Sequence, residues 1–301
     1  MSLFSIQGGE IDTLPPGRLT KKQLAGTAPL SYFAYRPTKL REDQPPLVFV
    51  HGYSRRAEEH ARALLPLCEA LGCTLLAPLF AKSDHPRYQR LGRGRCGQRA
   101  DRILNACIEN LFGHDPGQIH LAGFSGGAQF AHRYTMAHPD RVAHLVAIAA
   151  GWYTLPDPSQ RYPLGLHTYK MLRGISLNPE QFLRVPMTVM VGDRDTGKQN
   201  LRRSPELDAQ QGATRVERAR NWVAYMRVAA RIHQLQSVVR YIEVPGIGHD
   251  FEEFLERGHL VELMRESLSS RTRSRPGSAP FLLMPAAEIR AITSGVQHDS
   301  A

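Results

Sequence analysis

Little in this 301-residue chain invites a metal or a disulfide. Its four cysteines, Cys68, Cys73, Cys96 and Cys107, include no C-x-x-C pair, and no histidine stands at zinc-ligand spacing from them. No apolar run approaches the roughly 20 residues needed to span a bilayer. The opening MSLFSIQGGEIDTLPP lacks the charged start and apolar stretch of a signal peptide. A soluble, cytoplasmic protein with reduced thiols is the expectation. Lysine is scarce as well: six residues among 38 basic ones, so the net charge of +10 is carried by arginine. The arginines are scattered, apart from small clusters such as Arg90, Arg93, Arg95 and Arg99, and no nucleic-acid-binding motif accompanies them. The charge therefore reads as a basic surface, and no nucleic-acid partner is expected.

Hydrophobic residues make up 42% of the chain, charged residues 22%, and short runs rich in Val, Ile and Leu alternate with longer helical patterns. Strands are predicted at 31–37, 46–52, 73–80 and 118–124, and in RVAHLVAIAAG, PMTVMVGD and VVRYIEVPG. Helices are predicted over 55–72, 99–113, the GGAQFAHRYTMAHP stretch, 213–233 and 251–268. Strands that alternate with helices need crossover connections, which implies a mostly parallel sheet covered on both faces. Residues 152–183, rich in Pro and aromatics, break the rhythm and read as a small lid or cleft wall. One domain over 1–268 is expected, followed by a basic low-complexity linker and tail over 269–301.

The stretch LAGFSGGAQF carries a serine, Ser125, fenced by Gly123, Gly126 and Gly127, where a strand is predicted to turn into a helix. A turn that sharp forces the serine into an unfavourable backbone conformation. Flanking glycines relieve the crowding, and the amide of Gly126 points at the reaction centre. The helix start adds the positive end of its dipole. A serine hydroxyl needs a base, and the base needs a third group to orient it. In the chain order of such elbows, Ser then Asp then His, MTVMVGDRDTG offers Asp193 and Asp195, and IEVPGIGHDF offers His249. Asp195 lies further past its strand and is better placed to reach His249. Asp193 reads as a turn cap, and Asp250 is too close in sequence to orient its neighbour. Of the thirteen histidines, His249 alone combines this order with a loop after a late strand. The earlier VFVHGYS supplies a second amide, that of Tyr53, beside Gly126, with His51 as a packing and hydrogen-bonding residue.

Strand-HGY, strand-GFSGG-helix, strand-GDRD and strand-GHDF together resemble the α/β-hydrolase superfamily over roughly residues 30 to 268. GFSGG and the short insertion after the sixth strand are most similar to the serine esterase and polyhydroxyalkanoate-depolymerase-like branch. The resemblance implies an α/β-hydrolase fold with a small lid. It also implies a Ser125–His249–Asp195 triad with an oxyanion hole of the Tyr53 and Gly126 amides, hydrolysing a small-molecule carboxylic ester or thioester through an acyl-enzyme. No cofactor or metal is implied, and a serine nucleophile argues against epoxide-hydrolase chemistry. Arg55, Tyr88, Trp152 and Tyr153 are candidate substrate contacts: the aromatics as a wall, Arg55 as a carboxylate binder. A peptidase or amidase of the same fold, or a non-catalytic acyl-binding protein, remains open, as does a homodimer.

Overall fold

The computed structural model describes residues 10–26, 29–168 and 172–269. Eight strands form one sheet: β1 (Leu19–Leu24), β2 (Leu30–Tyr35), β3 (Leu47–Val50), β4 (Leu75–Pro78), β5 (Ile119–Phe124), β6 (Val142–Ile148), β7 (Met187–Gly192) and β8 (Val239–Val244). Their order is β1-β2-β4-β3-β5-β6-β7-β8. β2 pairs antiparallel with both β1 and β4, and every other pairing is parallel. The helices are α1 (Ala57–Ala63), α2 (Leu65–Leu71), α3 (Ala100–Phe112), α4 (Gly126–Ala137), α5 (Pro179–Phe182), α6 (Pro205–Gln211), α7 (Arg215–Ile232), α8 (Phe251–Glu256) and α9 (Leu260–Ser269).

The two faces of the sheet carry separate cores because successive strand residues point to opposite sides. On β3, Val48 and Val50 join the core under α3, α4 and α7, while Leu47 and Phe49 join the one under α1, α2, α8 and α9. β6 divides in the same way, with Leu145 and Ala147 on the first side and Val146 and Ile148 on the second. Strands buried on both faces explain the unbroken apolar runs.

All seven sequence-predicted strands are present; β1 is additional. It is an edge strand, LTKKQL, whose Lys21 and Lys22 hide it from a pattern search and guard an open edge against pairing with other chains. Two predicted helices are each broken. The 55–72 stretch divides at Leu64 because Pro66 enters the first turn of α2. The 251–268 stretch divides between α8 and α9, where His259 adopts a positive φ of 50°. Gly113 stops α3 in the left-handed conformation, as its position predicts.

Among its described residues the 152–183 segment holds one short helix, α5, and packs into the main core. Leu155, Tyr162, Leu166, Leu172 and Leu177 are buried in the same core as α4 and α7. The predicted tail lies outside the described residues apart from Ser269. Among the described residues, no helix is long and apolar enough to cross a membrane.

Several histidines are buried or half-buried without an acid beside them. Burial holds His51, His120 and His144 at about 4 and His60 at about 3, below the ordinary 6.5. The unfolded chain therefore takes up protons between about pH 6.5 and 4 that the folded chain refuses. The stability these groups contribute is complete above about pH 6.5 and is lost as pH falls. Urea midpoints are expected to be flat from pH 7 to 8 and to drop steadily from pH 6.5 to 4.5. A midpoint that rises on acidification contradicts this assignment.

Candidate active site

Ser125 sits between β5 and α4 with φ 54° and ψ −110°, a conformation side chains rarely adopt. The flanking glycines are needed for space rather than for φ. A Cβ on Gly127 would overlap the carbonyl oxygen of Val50 and come within 2.6 Å of that of His51. One on Gly123 would overlap the Gly127 carbonyl and lie 2.8 Å from the nitrogen of Ala128. The start of α4 thus presses directly against the ends of β3 and β5, and the serine between them is forced outward. Its amide donates to Ile148 O at 2.8 Å, tying the turn to β6.

His249 follows β8, and its Nε2 lies 3.0 Å from Ser125 Oγ. Its Nδ1 lies 2.7 Å from Asp195 Oδ2. With Asp195 ionised, one tautomer serves both contacts: Nδ1–H donates to the carboxylate and Nε2 accepts from the serine hydroxyl. The three residues chosen from chain order are thus brought together. Asp195 is fully buried. Asp193 instead accepts from the Gly246 amide at 2.7 Å. Asp250 caps α8 by accepting from Glu253 N. Neither contacts the His249 ring among the hydrogen bonds of the described residues.

The loops carrying Asp195 and His249 are fastened to each other. Asp193 N donates to Val244 O and Arg194 N to Ile247 O, each at 3.0 Å. Gly192 leaves no room for a side chain against Ile247 O. Glu253 Oε2 accepts from Gly248 N at 2.9 Å, fixing the residue before His249.

Two groups at this site were not legible in the sequence. Arg215, at the first turn of α7, donates to Asp195 Oδ1 at 3.2 Å and to the carbonyls of Gly197 and Gln199. The pair is almost fully buried, so the free oxygen of Asp195 is neutralised without touching the one that holds His249. Thr214 and Glu217 form a capping box at this helix start, but nothing in the sequence pattern linked Arg215 to the acid. Phe124 is the second: its ring stacks on His249 with centroids 5.2 Å apart.

On the opposite side of Ser125, the Tyr53 amide has no acceptor among the described residues. A Cβ on Gly126 would lie 3.4 Å from it, so the two amides are neighbours. Gly126 N belongs to the first turn of α4, where a helix supplies no acceptor. His51 fixes this loop: Nδ1 donates to Gly52 O at 2.7 Å, and Nε2 accepts from Phe80 N at 3.0 Å. That is the neutral form its burial enforces.

The candidate substrate contacts are placed differently from the sequence expectation. Arg55 donates to Phe80 O and to Tyr53 O, over the rings of Tyr53 and Tyr88, so two of its nitrogens are committed to the protein. Tyr88 is fully buried and donates to His51 O. Tyr153 is fully buried against Trp222, and Trp152 is covered by guanidinium groups. Tyr88 and Tyr153 are interior packing, stacked on Phe80 and Trp222, and Trp152 meets guanidinium groups rather than standing as an open aromatic wall.

No protein-family model and no curated protein matches the chain. Solved structures do. Poly(aspartic acid) hydrolase-1 from Sphingomonas sp. KT-1 superposes with a TM-score of 0.69 at 26% identity, over 83% of this chain and 99% of that one. LpqC, a poly(3-hydroxybutyrate) depolymerase from Bordetella parapertussis, superposes at 0.68 and 24% identity, over 92% and 94%. The fluorophosphonate-binding serine hydrolase FphF of Staphylococcus aureus reaches 0.53 at 14%, over 85% and 100%. The fold is that of the α/β hydrolases.

The overlap at Gly127 involves backbone that cannot move without disrupting β3. Gly127→Ala is expected to cost about 3 kcal/mol, the upper end for overpacking, read as a lowered urea midpoint. An unchanged midpoint contradicts the close approach.

Proposed function

We propose that this chain, an α/β hydrolase by fold, cleaves a carboxylic ester or thioester through a covalent acyl-enzyme. The observation that carries the reading is the continuous relay from Asp195 through His249 to Ser125, at 2.7 and 3.0 Å, beside two neighbouring backbone amides.

His249 Nε2 removes the hydroxyl proton as Ser125 Oγ attacks the acyl carbon. Asp195 holds the imidazole in the accepting tautomer and stabilises the cation it becomes. Arg215 holds the other oxygen of that carboxylate and so fixes its orientation. The carbonyl oxygen gains negative charge against the amides of Tyr53 and Gly126, aided by the N-terminal end of α4. His249 then returns the proton to the leaving alcohol or thiol. In the second half it activates water, which attacks the acyl group and restores Ser125 Oγ–H.

The same machinery supports amide cleavage, and one observation favours keeping that reading beside the first. Poly(aspartic acid), named in the hydrolase with which the chain superposes at 0.69, is linked by amides. Nitrophenyl esters compared with the matching nitroanilides separate the two. An ester hydrolase is expected to favour the esters by far more than their intrinsic reactivity difference.

A fluorophosphonate probe is expected to label the wild-type chain and to leave Ser125→Ala unlabelled though folded. Asp195→Asn is expected to lower kcat by on the order of 10⁴-fold, since it removes the tautomer control. Arg215→Gln is expected to lower kcat about tenfold, with KM little changed, because it acts on Asp195 rather than on substrate. Equal labelling of wild type and Ser125→Ala contradicts the mechanism.

A further inference from the structure

Among the described residues, most strongly buried arginines have an acid against them. Arg99 meets Asp101 at 2.9 Å, Arg215 meets Asp195 at 3.2 Å and Arg218 meets Asp208 at 2.6 Å. Arg133 is the exception. It is fully buried on α4, where Nε donates to Thr154 Oγ1 at 2.9 Å and Nη1 to Gln89 O at 2.6 Å. Its Nη2 has no partner among the described residues, and no carboxylate touches it.

Two further guanidiniums join it around one indole. Trp152 has Arg133 at 4.1 Å from its ring centroid, Arg202 at 4.9 Å and Arg90 at 5.5 Å. Neither Arg90 nor Arg202 forms an ion pair among the described residues, and the Nε of Arg90 is buried without a partner. Burial, with Arg90 and Arg202 adding repulsion, pulls Arg133 down to about 9. Stacking on an indole offsets only a small part of burying the Arg133 cation without a counter-charge beside the half-buried Arg90. An anion among them would supply what Asp101, Asp195 and Asp208 supply elsewhere.

The cluster lies beside the candidate nucleophile. Trp152 follows β6 at the sheet edge that carries Ser125. Arg133 is two turns along α4 from Ser125, about 12 Å, and its side chain leans back to Gln129 O at 3.3 Å. Gln129 is one turn, about 6 Å, from Ser125, and its amide donates to Ser125 O. Arg202 is exposed, which gives the cluster an open side.

We infer that Arg90, Arg133 and Arg202 on Trp152 form a subsite for a carboxylate carried by the substrate, Arg133 standing two turns of α4 beyond Ser125. The substrates are then acidic esters, such as monoesters of medium-length dicarboxylic acids. The inference rests on the serine-hydrolase reading of the adjacent site. Arg202 and Arg90 meet the carboxylate at the open side, and Arg133 supplies charge from beneath.

The test compares 4-nitrophenyl hydrogen adipate with 4-nitrophenyl methyl adipate, which differ only in the terminal charge. The wild-type chain is expected to favour the acid at least tenfold in kcat/KM, less so as NaCl is raised. Arg202→Gln and Arg90→Gln are each expected to cut that preference at least fivefold, and Arg203→Gln, a neighbouring surface control, to leave it in place. Equal turnover of both esters overturns the subsite, as does an equal loss in Arg203→Gln, while fluorophosphonate labelling of Ser125 still supports the hydrolase. Labelling without turnover of either ester overturns the acidic-ester assignment alone. Neither labelling nor turnover overturns the hydrolase reading and the subsite with it.

Discussion

Where the first turn of α4 meets the end of β3, two stretches of backbone approach more closely than any side chain allows. Gly127 lies against the carbonyls of Val50 and His51, and Gly123 lies against Gly127 itself. The rest of the site follows from that contact. It forces Ser125 to a positive φ and lifts its hydroxyl out of the turn. It also brings the Gly126 amide beside that of Tyr53, since His51 and Tyr53 belong to the strand end that is being touched. Phe124, on the other side of the serine, is delivered against the ring of His249. A single steric condition thus sets Ser125, the neighbouring amides and one wall of the imidazole.

The other half of the site is held by hydrogen bonds instead of close packing. The loops after β7 and β8 are cross-linked through Asp193, Arg194 and Gly246, so the acid and the histidine move as one unit. Arg215 completes the unit by taking the second oxygen of Asp195. A buried carboxylate without a partner would be costly to keep charged, whereas one shared between a guanidinium and an imidazole is not. The pairing around Asp195 also throws the three guanidiniums at Trp152 into relief, because there the same kind of burial has no acid to match.

Much of this was legible in the chain before any coordinates. The parallel sheet follows from apolar runs buried on both faces. Ser125, Asp195 and His249 were selected by order and by their places just past strand ends, and these three approach within hydrogen-bonding distance. The choice of Asp195 over Asp193 depended on reach past the strand; Asp195 Oδ2 lies 2.7 Å from His249 Nδ1, and Asp193 accepts from Gly246 N. What escaped was long-range or disguised. Arg215 is twenty residues from its partner and lies on another element. β1 carries lysines because it is an edge. The roles of Arg55, Tyr88, Trp152 and Tyr153 depended on which way each side chain turns, and one-dimensional spacing does not encode that. Arginine-rich composition concealed the Trp152 cluster, because Arg90, Arg133 and Arg202 are far apart in sequence and drawn together by two connecting segments and a helix.

The central claim is that Ser125, once acylated, directs the acyl oxygen between two backbone amides. A crystal structure of the chain inactivated by a fluorophosphonate tests it most directly, since the phosphoryl oxygen stands in for the oxyanion. The account predicts phosphorus bonded to Ser125 Oγ and its free oxygen about 2.7–3.1 Å from the nitrogens of both Tyr53 and Gly126. Attachment to another residue, or a phosphoryl oxygen turned away from both amides, would contradict it.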